Sequence, residues 1–133
     1  MIRDTEKRAL SHLKTQNLDR NSPYYGAFVM PNGVYMQKHA LYCIADIGAV
    51  YCNLESKLYH DETLLASMLR GLDYVRSQQH ENGLFDYITC NFFSAPDTAF
   101  CIGIILHLAQ YLKGKTELTD GEAVLLEKLD RII

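Results

Sequence analysis

Two stretches of this chain repeat each other, and the repeat constrains the fold more than any other feature. Gly26-Ala27-Phe28 and Gly83-Leu84-Phe85 hold equivalent places in segments that align without a gap. Each is followed, about ten residues later, by a long apolar run with helical character, Ala40 to Cys52 in the first copy and Thr98 to Leu112 in the second. The register persists inside those runs, where Ile47 falls on Ile104 and Cys43 on Phe100. A period long enough for two helices and two loops is the mark of a helical-hairpin array.

The spacing predicts five helices. The first covers Asp4 to Gln16, with Ile2, Ala9, Leu10 and Leu13 on one face. A polar loop from Asn17 to Met36 carries the breakers Pro23, Gly26, Pro31 and Asn32-Gly33. The second helix covers Gln37 to Asn53, and Asp46 is the only formal charge between Lys38 and Glu55. The third, Asp61 to Gln79, sets Leu64, Leu65, Met68, Leu72 and Val75 against Arg70, Asp73 and Arg76 at helical spacing. After a second loop, His80 to Ser94, the fourth runs from Ala95 to Lys113 with no formal charge from Thr98 to Leu112. Lys113-Gly114-Lys115 closes it, with cations at the negative end of the dipole and glycine as the stop. The fifth begins near Thr119-Asp120 and is still amphipathic at Ile133.

These helices alternate between two kinds. The first, third and fifth have one apolar face, whereas the second and fourth are apolar nearly all round and need cover on every side. Ala45, Gly48, Ala49, Ala99 and Gly103 leave room for close helix approach. The expectation is an all-α fold of hairpin repeats, a partial α/α toroid with inner and outer helices, in which residues 1–133 form a single domain. Leu125, Leu126, Leu129, Ile132 and Ile133 have no evident partner within such an arrangement. The chain therefore reads as the N-terminal part of a larger toroid cut inside its third hairpin, or as one that completes itself by association. A homodimer with Leu126, Leu129 and Ile133 at the contact is the expected form.

Composition excludes several classes. Hydrophobic residues make up 48% and charged residues 22%, which argues against both disorder and a coiled coil. A net charge of -3 with no basic run leaves no nucleic-acid footprint. The charged N-terminus has no apolar stretch of the kind secretion requires, and the uncharged run Thr98 to Leu112 is too short to span a membrane. The expected location is cytoplasmic, with Cys43, Cys52, Cys90 and Cys101 reduced and acting mainly as small core residues. No His, Asp or Cys grouping has metal spacing and no glycine-rich phosphate loop occurs, so neither a metal nor a cofactor is expected.

Chemistry concentrates in the loops that enter the apolar helices. The segment Gln79-His80-Glu81-Asn82-Gly83-Leu84-Phe85-Asp86 continues to Asn91-Phe92-Phe93-Ser94-Ala95-Pro96-Asp97-Thr98-Ala99-Phe100. Ser94 and Asp97 have the form of a capping box with Pro96 in the first turn, which accounts for both without any ligand. Gly83 suits a turn and Phe85 a plug between helices. Asp86 and Asn91 have no such ready account. The first copy supplies Tyr35 and His39 in the corresponding place. His12, His60 and His107 are scattered and read as structural or solvated.

Gln, a polar stretch and Gly-x-Phe at the end of an outer helix resemble the hairpin signature of the α/α toroid superfamily, which includes terpene cyclases, protein prenyltransferases, glycoside hydrolases and polysaccharide lyases. The Asn-x-x-Ser-x-Pro-Asp-Thr-Ala-Phe stretch is similar to the N-terminal toroid of heparinase II/III-type bacterial proteins. The resemblance implies a segment of a polysaccharide lyase or glycoside hydrolase, inactive alone because a toroid site draws on several hairpins. It implies an oligosaccharide ligand, with Asp86, Asn91, Asp97, Tyr35 and His39 as the binding candidates. Asn would neutralise a uronate carboxylate, and Tyr or His would abstract the α-proton. Tryptophan is absent, and the nine tyrosines are the residues available for stacking on a sugar. The alternative is a non-enzymatic helical scaffold that binds a partner or itself. An isoprenoid function would call for an Asp-rich diphosphate site or zinc ligands, which the sequence lacks.

Overall fold

A computed structural model describes residues 2–31, 33, 37–78, 85, 86 and 93–133. Among these the chain forms five helices: α1 (Ile2–Thr15), α2 (Gln37–Tyr51), α3 (Glu62–Gln78), α4 (Ala95–Lys113) and α5 (Asp120–Ile132). Their ends fall within two residues of the boundaries read from the sequence, the usual scatter at frayed termini. Two-residue strands, β1 (Phe85–Asp86) and β2 (Phe93–Ser94), pair antiparallel just before α4. So small a ladder leaves the class all-α.

The packing centres on α2. It contacts α1, α3 and α4, while α5 packs on α3 and α4. Ala40, Leu41, Cys43, Ile44, Ile47, Val50 and Tyr51 are all buried. The expected burial of this apolar helix is therefore met on three sides. The fourth side, bearing Tyr42 and Ala49, is exposed. α2 and α4 lie side by side and run the same way, since Gly48 faces Leu108 and, one turn further along both helices, the Tyr111 hydroxyl donates to the Cys52 carbonyl at 3.4 Å. Both helices therefore begin at one end of the bundle.

α4 departs from expectation. Among its described side chains Ile105, Ala109 and Leu112 are buried, but Leu106, His107, Gln110 and Tyr111 are exposed. An uncharged helix need not be covered all round; among the described elements this one packs on α2 and α5, with β1 at its start. Gly103, expected to admit a close helix, faces open space, whereas Gly48 does fulfil that role against Leu108. Leu10 of α1 is likewise 43% exposed, because α1 has essentially one helical neighbour and its buried stripe is narrow, running through Glu6, Ala9 and Gln16.

The fifth helix buries much of its apolar stripe within the chain itself. Leu125, Leu129 and Ile132 are buried against the chain's own core, with α3 and α4 as the covering elements. Leu126 packs at the edge of that core and only Ile133, 43% exposed, remains outside. Ion pairs flank the seam: Lys128 Nζ lies 2.6 Å from Asp73 of α3, and Lys113 Nζ 3.0 Å from Asp130. The sequence pattern showed an apolar stripe but could not show that α3 has a second apolar side to receive it.

The loop between α1 and α2 is anchored by one buried amide. Gln16 Nε2 donates to the carbonyls of Gly26 (3.0 Å) and Ser67 (2.9 Å), and its Oε1 accepts from Ser67 Oγ (2.8 Å) and Arg70 Nη2 (3.2 Å). Both donors and the acceptor are thus engaged, which is what a buried amide requires. Asn17 N donates to the Ala27 carbonyl and Val29 N to that of Thr15, so the chain doubles back along the end of α1 and drives Phe28 into the core, fully buried against Gly71. Gly26 has φ +89, and a Cβ there would run into the Arg70 carbonyl of α3. Gly26→Ala should therefore destabilise the fold by about 1–3 kcal/mol. Urea denaturation measures this, and a midpoint equal to wild type would refute the account.

Candidate functional site

Where α2 begins, the end of α1 and the returning loop enclose a cleft of about 580 Å³ lined by Ser11, His12, Thr15, Val29, Met30, Pro31, Gly33 and His39. The apolar wall comes from the loop segment that Gln16 and the Val29–Thr15 hydrogen bond hold in place. The polar wall comes from two hydroxyls and two imidazoles. Ser11, His12 and Thr15 sit on the last turn of α1 because the spacing of one helical turn sets them on one side. His39 sits in the first turn of α2.

The two imidazoles are held differently. His12 Nε2 donates to Asp46 Oδ2 at 2.8 Å, and Arg8 Nε lies 3.4 Å from the same oxygen. Asp46, the lone charge in the middle of α2, thus orients His12 across the helix pair. His39 Nε2 lies 3.5 Å from Cys43 Sγ, one turn along its own helix. Burial, and then the charge of Asp46, push the Cys43 thiol up to about 12, so it keeps its proton. The protonated thiol and the ring nitrogen lie within reach of a weak hydrogen bond, whose direction follows the tautomer of His39. Burial, followed by the charge of His12, holds His39 below its ordinary value of 6.5. A thiol held in this state is no nucleophile.

Of the residues singled out from the sequence, His39 lines the cleft. Asp86 lies on β1 and Asp97 in the first turn of α4, both backbones at the end where α4 begins; that is also the end where α2 begins. Ser94 immediately precedes α4, the N-cap place expected for it. Tyr35 and Asn91 lie outside the described residues. The two loops differ locally, since Phe28 pairs with Gln16 behind it whereas Phe85 pairs with Ser94 ahead of it. His12 and Asp46 were missed as site residues. The available signal was Asp46 itself, because a single carboxylate in an apolar helix requires a partner.

A second polar cluster closes the opposite end. Glu122, 1% exposed, accepts from Lys115 Nζ at 2.6 Å and from the Thr119 backbone N–H at 3.1 Å, and returns its own N–H to Thr119 Oγ1. This is a capping box at the start of α5, with Lys115 turned onto the carboxylate. His60, at φ +56, stacks on Tyr59 with ring centroids 3.9 Å apart and brings Nε2 to 3.4 Å from Glu122 Oε2. Burial alone would raise the Glu122 pKa, but the Lys115 and Thr119 hydrogen bonds, with the charges of Lys115 and His60, outweigh it and hold the carboxyl below 4.5. Glu122 is paired on both sides, while the buried His60 Nε2 has no hydrogen-bond partner among the described residues. A lowered folded-state pKa stabilises fully above the unfolded value and is lost as pH falls through the folded one. Thermal stability should therefore drop between roughly pH 5 and pH 3 more steeply in wild type than in Glu122→Gln. Parallel curves for the two proteins would refute this. At neutral pH the variant should be less stable by about 1.5–3 kcal/mol.

Among the described residues no cluster of His, Cys, Asp or Glu has the arrangement of a metal site, and no helix is long and apolar enough to cross a membrane. Comparison with known protein families, curated proteins and solved structures finds no match to this chain.

Proposed function

We propose that this chain is an oligosaccharide-binding segment of an α/α helical protein of the toroid kind, related in chemistry to polysaccharide lyases and glycoside hydrolases. The ligand sits at the end where α2 and α4 begin. The observation that carries the reading is the cleft beside His39, where two imidazoles and two hydroxyls face an apolar wall. That mixture suits a sugar, which presents hydroxyls at its edge and C–H groups on its face. The elements bearing Asp86 and Asp97 lead into α4 at the end where α2 also begins. The segment binds and does not turn over, since a toroid site is assembled from more hairpins than two. Isothermal calorimetry with acidic and uncharged oligosaccharides tests this. Binding of one class at about 1 mM or tighter, weakened roughly tenfold by His39→Ala, is the expected result. Failure of both classes to bind would remove the carbohydrate reading.

One observation favours a second reading, a scaffold that associates through its helices. The open side of α2 and the exposed side of α4 flank a groove of about 310 Å³ lined by Ala45, Gly48, Ala49, Cys52, His107, Leu108 and Tyr111. In a toroid this would be the inner face. On this reading self-association runs through α4 rather than α5, and Leu106→Glu abolishes it in sedimentation velocity. A monomer at high concentration would dismiss it.

A further inference from the structure

α1 and α5 each leave one stripe of side chains in solvent at the same spacing. On α1 the positions i, i+3, i+4 and i+7 are Lys7, Leu10, Ser11 and Lys14, all exposed. On α5 they are Asp120, Ala123, Val124 and Glu127, also all exposed. Residues so spaced share one face of a helix, and the outer two stand about 10.5 Å apart along its axis.

The two stripes are alike in pattern and opposite in sign. Each sets two small or apolar side chains between two charges, lysines on α1 and carboxylates on α5. Leu10 is 43% exposed and Val124 40%, so both middles carry apolar surface. Beside the α5 stripe runs a shallow groove of about 560 Å³ lined by Leu118, Ala123, Leu126, Glu127, Asp130 and Arg131. Ala123 and Glu127 belong to both stripe and groove, so the recess opens next to the apolar middle.

Neither stripe is covered inside the chain, where α1 packs on α2 and α5 on α3 and α4. Among the described residues Lys7, Lys14 and Asp120 have no ion-pair partner. Glu127 has Arg131 one turn along its own helix, but a pair so exposed contributes little and leaves the carboxylate open to a second cation.

We propose that the basic stripe of α1 docks on the acidic stripe of α5 in a second copy of this chain, with Leu10 entering the groove floored by Leu118, Ala123 and Leu126. Both charges of a stripe have the same sign, so either direction of crossing sets each lysine beside a carboxylate. The apolar middles lose water and supply the binding, while the ionic ends select the surface. A contact between two different patches is heterologous, so copies join head to tail and either close into a ring or extend as a filament. One helix pair buries less than a standard interface, and the association is accordingly weak, with Kd on the order of 0.1–1 mM. This docking is independent of the oligosaccharide reading and uses helix faces other than the groove between α2 and α4.

Charge reversal followed by a swap provides the test. In sedimentation equilibrium from about 0.05 to 2 mM protein, the mass of the wild type should rise with concentration at low salt. The rise should fade at about 0.5 M salt, where exposed charges are screened. Lys7→Glu/Lys14→Glu and Asp120→Lys/Glu127→Lys should each weaken association at least about tenfold, since each brings like charges together. An equimolar mixture of the two variants should associate again, because the acidic α1 of one meets the basic α5 of the other. Circular dichroism checks that each variant is folded, and Leu10→Ser, which changes no charge, should weaken association as well. A wild type that stays monomeric across the range overturns the proposal. So does association that the reversals leave unchanged; if Leu106→Glu then removes it, the contact is the α2–α4 groove instead. A mixture of the two folded variants that stays monomeric while the wild type associates overturns it too.

Discussion

The side-chain amide of Gln16 is the contact on which the rest of the arrangement depends. It stands where α1 ends, and it ties that end to the Gly26 carbonyl in the returning loop and to Ser67 and Arg70 of α3. A buried amide left unpaired costs about 1–3 kcal/mol for each unsatisfied group. The four-way pairing therefore admits one placement of loop and helix and penalises the others. The placement seats Phe28 against Gly71 and Ile44, and so brings α2 against α3. Glycine is required twice in this joint: Gly26 for its positive φ and its approach to the α3 backbone, Gly71 because Phe28 and Ile44 come within 3.0 Å of where a Cβ would stand.

This polar joint also explains which parts of the fold were legible. Helices are local, and the breakers Pro23, Gly26, Gly114 and the Thr119 cap announce their ends, so all five emerged close to their observed bounds. Which faces meet is not local. Ser67 and Gly71 look like gaps in the apolar stripe of α3, yet both are buried, one as the partner of Gln16 and the other as the seat of Phe28. The tight fit of α5 had the same character. Its Leu125, Leu129 and Ile132 look unpartnered until α3 is seen to have a wide apolar surface, with Leu64, Met68, Leu72 and Val75 facing more than one neighbour. Conversely α4 looked wholly internal, because absence of charge marks what a helix can bury and not what covers it.

The candidate site was legible in part for a related reason. His39 stood out through the repeat, which marks the entrance to each apolar helix. His12 did not, being one polar residue among several on a charged helix. Only the crossing of α1 over α2 gives it meaning, by placing its ring on Asp46. The Gln16 joint was not legible from the repeat, because in its ungapped register Gln16 falls on Asp73.

The two ends of the bundle differ in how their polar groups are engaged. At the end where α2 and α4 finish, Glu122, Lys115 and Thr119 satisfy one another, and Glu122 approaches His60 of the α2–α3 turn. At the other end the hydrogen-bonding groups of His12 and His39 are half engaged, and a cleft lies beside them. A recognition site needs polar groups that are oriented but not saturated, and orientation requires a rigid frame. Asp46 and Cys43 supply it from the most buried helix, where any change in their position would have to displace the packed side chains of Ile44 and Ile47. The apolar character of α2, which first read as a matter of folding alone, is thus also what fixes the direction of the two rings.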